Sequence, residues 1–245
     1  MEFVISERIT NVDIIEGKKE VYKIIKNLAS GIKVKLNEVD ISYDGWVLVK
    51  FSGEDSEVLI ELIKRKFGIA PVKYDQIKIG EVYKGFISEI NEKFLNLDIG
   101  ILSPDYCNGV CSLYTLQAQL ADGFKISMKN IVSKFTLCLD LPLEARVIKV
   151  EGKDNISLEI SDYQINYLKD LIKNPLERII IIGALSKEIK KAIDKVNAYR
   201  DIVGIETLCI TSHILTCKLG TNARGIIKKL APNLERTIIH STALI

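Results

Sequence analysis

The hydrophobic positions of the chain follow helical and strand-like periods in turn, and the same order of periods occurs near both ends. Near the N-terminus, a short apolar strand precedes a helical stripe in residues 18–29 and two strand-like stretches, residues 33–41 and 46–51, that flank a turn. A second helical stripe begins near Asp55, and residues 70–74 offer a further strand. The pattern predicts a ferredoxin-like βαββα module, with residues 70–74 as a sixth element.

The final third of the chain repeats this order in full. Its expected elements are a strand at residues 178–182, a helix from Ser186, strands at residues 205–211 and 213–219, a helix from Asn222 and a strand at residues 236–240. The order βαββαβ is that of the ferredoxin-like split βαβ fold. We therefore predict a second ferredoxin-like module at the C-terminus.

The pattern between these repeats changes to short alternating strands with polar turns. Five strands are expected, at residues 81–90, 94–99, 109–113, 143–150 and 156–160. Five short strands within about 80 residues predict a small closed barrel. We therefore expect an α+β protein of three modules, divided as residues 1–74, 75–162 and 163–245, the last beginning with a linker helix.

Residues 80–100, GEVYKGFISEINEKFLNLDIG, carry a particular order of glycines and apolar positions. A glycine and an alternating strand are followed by a second glycine, Gly85, and by a strand that ends in Asp98-x-Gly100. In this frame the module resembles the S1 domains of RNA-binding proteins. The resemblance implies a five-stranded OB-fold barrel, with an insertion between the third and fourth strands.

The module departs from S1 domains at the positions where those domains contact RNA. S1 domains place two aromatic residues and a histidine there, and this chain has Lys93, Asn96 and Ser112 instead. Phe94 is one residue out of register, so we expect it in the core, with a stacking role as the alternative. Because base stacking contributes about 1–3 kcal/mol per base, the barrel is expected to bind single-stranded RNA poorly.

Three further segments resemble an archaeal protein family, domain of unknown function 2110. They are ADGFKIS at residues 121–127, LPLEARV at residues 141–147 and CKLGTNARGII at residues 217–227. This resemblance extends over nearly the full length and implies a shared fold but no activity. The order of an S1 module and a C-terminal ferredoxin-like domain is similar to that of a translation initiation factor alpha subunit, in architecture only.

Charge is distributed unevenly over a chain whose net charge is only +2. Residues 1–72 hold 11 basic and 12 acidic side chains, residues 73–163 hold 10 and 13, and residues 164–245 hold 13 and 7. The C-terminal third therefore carries all of the excess positive charge. This asymmetry predicts that a polyanion would meet the C-terminal module.

The segment LGTNARG, residues 219–225, joins a strand to a helix and is the one local motif with a chemical implication. Amides at a helix N-terminus bind anions, and an arginine in the first turn adds a bidentate contact to phosphate. The predicted RNA- or anion-binding residues are Thr221, Asn222, Arg224, Lys228 and Lys229, together with Lys187, Lys191 and Lys195 on the companion helix. A well-capped helix after a tight glycine turn, or a small-molecule site, would give the same pattern.

The chain lacks the motifs of the common enzyme classes, and only His213 and His240 are available as histidines. Cys209, His213 and Cys217 lie four residues apart and could converge on a strand hairpin as metal ligands. The cysteines can instead be buried and reduced within a sheet, and this is the interpretation that we expect. No metal and no cofactor are therefore predicted.

These observations predict a non-enzymatic RNA- or ribonucleoprotein-binding factor, associated with the transcription or translation apparatus. A protein–protein adaptor without direct RNA contact is the alternative, followed by a metabolite-sensing domain or an enzyme. No signal peptide and no apolar segment near the roughly 20 residues of a membrane span is evident, so a cytoplasmic location without a membrane partner is expected. The oligomeric state stays open.

Overall fold

Three separate sheets, one in each module, make up the computed structural model, which describes residues 1–152 and 155–242. The expected α+β class and the central barrel are both present. No helix in these two ranges is long and apolar enough to cross a membrane.

The N-terminal module forms a three-stranded antiparallel sheet in the order β1-β3-β2. Its elements are β1 (Glu2–Arg8), α1 (Ile14–Leu28), β2 (Val34–Ile41), β3 (Trp46–Gly53) and α2 (Ser56–Phe67). Helix α1 begins four residues before the predicted start, because the Asp13 side chain accepts a hydrogen bond from the Glu16 amide and caps the helix there. Both helices bury their apolar stripes against the same sheet.

The predicted sixth element of this module does not pair with the N-terminal sheet. The chain runs beside β1 over residues 68–70, where Ile69 forms an isolated bridge with Ile5. It then turns at Val72, whose φ is 55°, and strand β4 (Val72–Lys73) pairs in parallel with a barrel strand. The N-terminal sheet therefore stays three-stranded, and its last segment belongs to the barrel.

The middle module is a closed barrel of five strands. These are β5 (Val82–Ile90), β6 (Phe94–Ser103), β7 (Cys107–Ser112), β8 (Pro142–Glu151) and β9 (Asn155–Ile160). Pairing runs β6-β5-β8-β9-β7, and β7 returns to β6 and closes the barrel. The parallel β7–β9 pair within an otherwise antiparallel barrel gives the strand order of an OB fold.

Three helices cover this barrel. The insertion between its third and fourth strands forms α3 (Leu113–Leu120) and α4 (Met128–Phe135), and α5 (Asp162–Lys173) follows the last strand. Leu116, Ile131 and Leu168, one from each helix, are buried in the same apolar cluster as the barrel interior. The helix expected to be a linker is therefore packed on the barrel.

The C-terminal module has the complete ferredoxin-like topology. Its elements are β10 (Arg178–Ile182), α6 (Ser186–Lys195), β11 (Ile202–Cys209), β12 (Ser212–Cys217), α7 (Ala223–Leu230) and β13 (Ile238–Thr242), with the sheet in the order β11-β12-β10-β13. One face of this sheet packs against α6 and α7. The opposite face, with Ile180 and Ile214, joins the apolar cluster of the barrel.

A buried ion pair joins all three modules. Glu7 on β1 is 2% exposed and accepts a hydrogen bond from Lys84 Nζ on β5 at 2.7 Å. Its second oxygen accepts from the Ile210 amide, and Lys84 also donates to the Leu208 carbonyl. Burial raises the pKa of Glu7, and Lys84 opposes that rise. Each polar group in this seam therefore depends on a partner from another module.

Candidate nucleic-acid interface

Helices α6 and α7 present their charged residues to solvent because their apolar residues are buried against the sheet. Ile189 and Ile193 of α6, and Ala223 and Ile226 of α7, lie in one buried cluster with β10 and β12. The outward cations are Lys187, Lys190, Lys191 and Lys195 on α6, and Arg224, Lys228 and Lys229 on α7. The predicted basic residues of both helices therefore lie on one side of the sheet.

Lys187 differs from the other cations of this group. Its ammonium is paired with the Glu16 carboxylate of α1, in the N-terminal module. Hydrogen bonding to Lys187 is the main cause that lowers the pKa of Glu16 to about 2. Lys187 therefore ties two modules together and is not free for a phosphate as predicted.

The other six cations make no ion pair within residues 1–152 and 155–242. These six side chains are therefore not held by a carboxylate within those ranges. Unpaired, exposed lysine and arginine side chains are the groups that release counterions when they meet a phosphate backbone. We name these six residues, Lys190, Lys191, Lys195, Arg224, Lys228 and Lys229, the basic face.

The start of α7 is not the open anion site that the sequence predicts. The Ala223 amide donates to the Glu177 carboxylate at 2.7 Å, and the amides of Arg224 and Gly225 donate to the Asn222 side chain. The expectation that Asn222 caps the helix is confirmed, whereas the expectation of free amides in its first turn is wrong. A carboxylate of the chain already occupies the place that a phosphate would take.

The barrel offers no pair of stacking aromatics at the predicted positions. Lys93 is exposed, Asn96 donates to Glu89, and Ser112 caps α3 by accepting from the Thr115 amide. Phe94 does not lie in the core as expected. It is half-buried on the outer side, because Leu95 and Leu97 fill the interior and alternate residues of a strand face opposite sides.

The spaced cysteines and histidine of the last module do not converge. His213 is fully buried, with Nε2 3.1 Å from the Ala184 carbonyl and Nδ1 3.1 Å from Thr207 Oγ1. Cys217 packs among the residues beneath α6 and α7, whereas Cys209 packs beside Trp46 and Phe86. Within the described ranges, no three potential ligands are grouped to hold a metal ion.

A large cleft, which the sequence did not predict, lies where the three modules meet. Its volume is about 980 Å³, and it is lined by the end of α2, by α4 and α5, by β5 and β8 of the barrel, and by the β10–β12 region. The basic run at residues 64–66 was the only sequence signal for it. Its lining residues come from every module, so no local pattern connects them.

The fold and these surfaces define a class of protein, three-module α+β proteins with an OB barrel between two ferredoxin-like modules. Models of the DUF2110 family match the chain in three parts. The N-terminal domain matches residues 16–73, the central domain residues 77–172 and the C-terminal domain residues 176–240. The chain belongs to the DUF2110 family.

Comparisons with curated proteins and with solved structures are less informative than the family match. No curated protein matches the chain. The intact alpha subunit of aIF2 from Pyrococcus abyssi is 11% identical, with a TM-score of 0.26, over 67% of this chain and 97% of that one. A chain of the a/eIF2alpha–aDim2p–rRNA complex from Pyrococcus horikoshii is 13% identical, with a TM-score of 0.28, over 62% of this chain and 68% of the matched chain.

A multidomain protein with nucleic acid binding domains from Streptococcus pneumoniae is 6% identical, with a TM-score of 0.24, over 79% of this chain and 47% of that one. TM-scores of this size do not establish a common architecture. The family match is therefore the finding that places the chain among known proteins.

Proposed function

We propose that this protein is a non-enzymatic RNA- or ribonucleoprotein-binding factor that contacts RNA through the basic face of its C-terminal module. The observation that carries the proposal is the set of six exposed cations on α6 and α7 without an ion pair in the described ranges. Phosphate neutralisation and counterion release supply most of the free energy of non-specific RNA binding. The basic face has the positive charge needed to neutralise phosphates and release their counterions.

The charges of the other two modules favour an RNA contact on the C-terminal module. The first two segments are net acidic, so they oppose a phosphate backbone where the C-terminal segment attracts it. The occupied amides at the start of α7 leave the side chains of Arg224 and Lys228 as the phosphate-binding groups of that helix. We propose an association with the transcription or translation apparatus because the barrel sequence resembles S1 domains.

The test measures the affinity for a labelled single-stranded RNA at several salt concentrations. The basic-face variant is Lys191→Ala, Lys195→Ala, Arg224→Ala and Lys228→Ala. Its matched control is Lys23→Ala, Lys26→Ala, Lys93→Ala and Lys125→Ala, four exposed lysines of the other modules. Because each lost contact removes roughly 0.7 of a released counterion, the salt slope should fall by up to about 3 units in the variant only.

Equal salt slopes for the variant and the control would contradict the proposed surface. A wild-type protein that binds no RNA even at low salt would contradict RNA binding itself. In that case the adaptor function would take its place.

A further inference from the structure

The cleft between the modules has an apolar floor. Phe135, Leu143, Leu168, Ile180 and Ile214 line it, and each is also part of the buried apolar cluster. Each of these side chains is at most 5% exposed. The free energy of binding would therefore come from covering the more exposed apolar side chains of the walls.

Three apolar side chains on the walls are open to solvent. Tyr163 is 70% exposed, Val82 44% and Ile172 38%. Tyr163 and Ile172 are on α5, and Val82 is on β5. They extend the apolar floor towards the mouth of the cleft, where a bound segment would cover them.

The rim of the cleft is positively charged. Lys64, Arg65 and Lys66 in the last turn of α2 and Lys134 in the last turn of α4 line it, and all four are exposed. None of them has an ion pair within residues 1–152 and 155–242. Four cations without an ion pair, next to apolar side chains, favour a ligand that has carboxylates beside apolar groups.

The two carboxylates of the lining have partners inside the cleft. Glu144 accepts a hydrogen bond from Ser161, and its amide donates to Gln164. Glu206 lies close to the Tyr167 hydroxyl. Burial is the main cause that raises the pKa of this hydroxyl, and the charge of Glu206 is the second cause. The Tyr167 oxygen is buried beside this carboxylate. Neither carboxylate therefore neutralises the cations of the rim.

We propose that this cleft binds an acidic, amphipathic segment of a partner protein. Apolar side chains of the segment pack on the exposed apolar residues of the walls, and its carboxylates meet Lys64, Lys66 and Lys134. The exposed apolar side chains of the walls favour a peptide over RNA, because apolar side chains of a peptide can cover them and a phosphate backbone cannot.

This site goes beyond the proposed RNA binding and does not depend on it. The cleft is lined by Ile180 and Ile214, on the sheet face opposite to that covered by α6 and α7. A peptide in the cleft and an RNA on the basic face would therefore lie on opposite sides of one sheet. Both can bind at the same time, which would make the protein a bridge between an RNA and a protein partner.

The experiment selects ligands for the whole protein from a displayed library of random peptides, and then measures the affinity of the selected peptides by fluorescence anisotropy. A rim variant combines Lys64→Ala, Lys66→Ala and Lys134→Ala, and a wall variant combines Tyr163→Ala and Ile172→Ser. The matched control combines Lys23→Ala, Lys26→Ala and Lys93→Ala. All of the substituted residues are exposed, so the fold should persist.

The selected peptides should be acidic and amphipathic. The rim and wall variants should each bind them about tenfold more weakly, whereas the control should stay within about twofold of the wild type. Failure to select any peptide, selection of basic peptides, or equal affinities for the rim variant and the control would overturn the proposal. It would also be overturned if the rim variant lost RNA affinity while the basic face was intact, because the cleft would then be a nucleic-acid site.

Discussion

The two ferredoxin-like modules share the order βαββα in their first five elements but differ in how their surface charges are compensated. In the N-terminal module, Lys18 pairs with Asp40 at 2.6 Å and Lys33 with Glu54 at 2.8 Å, and Lys50 lies between Glu2 and Glu38. On the C-terminal helices, Lys187 alone has an ion-pair partner within the described ranges, and that partner belongs to the N-terminal module. Several cations of the N-terminal module are therefore paired with carboxylates, whereas six of the seven outward cations of α6 and α7 have no ion pair in the described ranges.

The modules also differ in how they attach to the barrel. The C-terminal sheet contributes Ile180, Ile182 and Ile214 to the barrel's apolar cluster. The N-terminal module uses polar and aromatic groups, since Trp46 Nε1 donates to the buried Asp98 at 2.9 Å and Glu7 pairs with Lys84. Apolar seams tolerate small changes, whereas a buried charge without its partner is costly. The N-terminal attachment is therefore the more sensitive one.

The largest effect is expected from Lys84→Ala, which leaves Glu7 buried without its cation. Breaking a buried ion pair by removing one partner costs about 3–5 kcal/mol of the free energy of unfolding. Urea unfolding, followed by fluorescence of Trp46 and by circular dichroism, should show this loss in one transition. The control is Lys33→Ala, whose pair with Glu54 is exposed and should contribute less than about 1 kcal/mol.

Two results would contradict this account of the N-terminal attachment. One is a loss for Lys84→Ala no larger than that for Lys33→Ala. The other is an N-terminal module that unfolds in a separate transition in the wild type, which would mean that the seam does not couple the modules.

Most of the fold followed from hydrophobic periodicity, because nearly every element is long enough to show a period. Residues 179–182 are four consecutive isoleucines, and with Arg178 they form a strand that is buried along its whole length. The two-residue strand β4 has no period, and its pairing with β6 depends on the turn at Val72, which a sequence pattern does not specify. Phe94 was assigned to the wrong side because the family frame was shifted by one residue.

The candidate site was predictable only in its charges. Charge asymmetry and helical spacing pointed to the exposed cations of α6 and α7, but not to their partners. The pair of Lys187 and Glu16 spans 171 residues of sequence, and the bond from Ala223 to Glu177 spans 46. Such contacts arise from tertiary packing, and the same is true of the cleft.

The next effect concerns the start of α7, where the two modules differ again. Glu177 accepts from the first amide of α7, whereas Asp55 at the start of α2 makes no capping bond and accepts from Lys33 instead. Glu177→Ala should lower the free energy of unfolding by about 1–2 kcal/mol, since a charged hydrogen bond at a helix N-terminus is lost. Thermal unfolding measures this, with Glu235→Ala on the exposed surface of the module as the control.

Glu177→Ala also tests the basic face. Removing the resident carboxylate leaves the Ala223 amide open and lowers the negative charge next to Arg224, so RNA affinity should rise while stability falls. A variant that lost RNA affinity in proportion to its stability would indicate that Glu177 matters to RNA binding through the fold alone.

The smallest effect is a pH dependence that belongs to the C-terminal module, because both histidines of the chain, His213 and His240, lie there. Burial lowers the pKa of His213 below its ordinary value of 6.5. The unfolded chain then binds a proton at a higher pH than the folded protein does. The free energy of unfolding should therefore be constant above about pH 6.5 and fall below it, by at most about 1.4 kcal/mol per pH unit.

This loss should disappear in His213→Gln and persist in His240→Gln, whose side chain is exposed. Urea unfolding at several values between pH 5 and pH 8 compares the two variants, which share every carboxylate, so that the difference between their slopes isolates one histidine. The ring titration of His213, followed by NMR in the wild type, gives the same answer if His213→Gln folds poorly. Because Nε2 faces the Ala184 carbonyl, it carries the proton of the neutral ring, and Nδ1 accepts from Thr207. Identical slopes in the two variants, or a ring pKa at or above 6.5, would show that burial in the C-terminal sheet does not keep this histidine neutral.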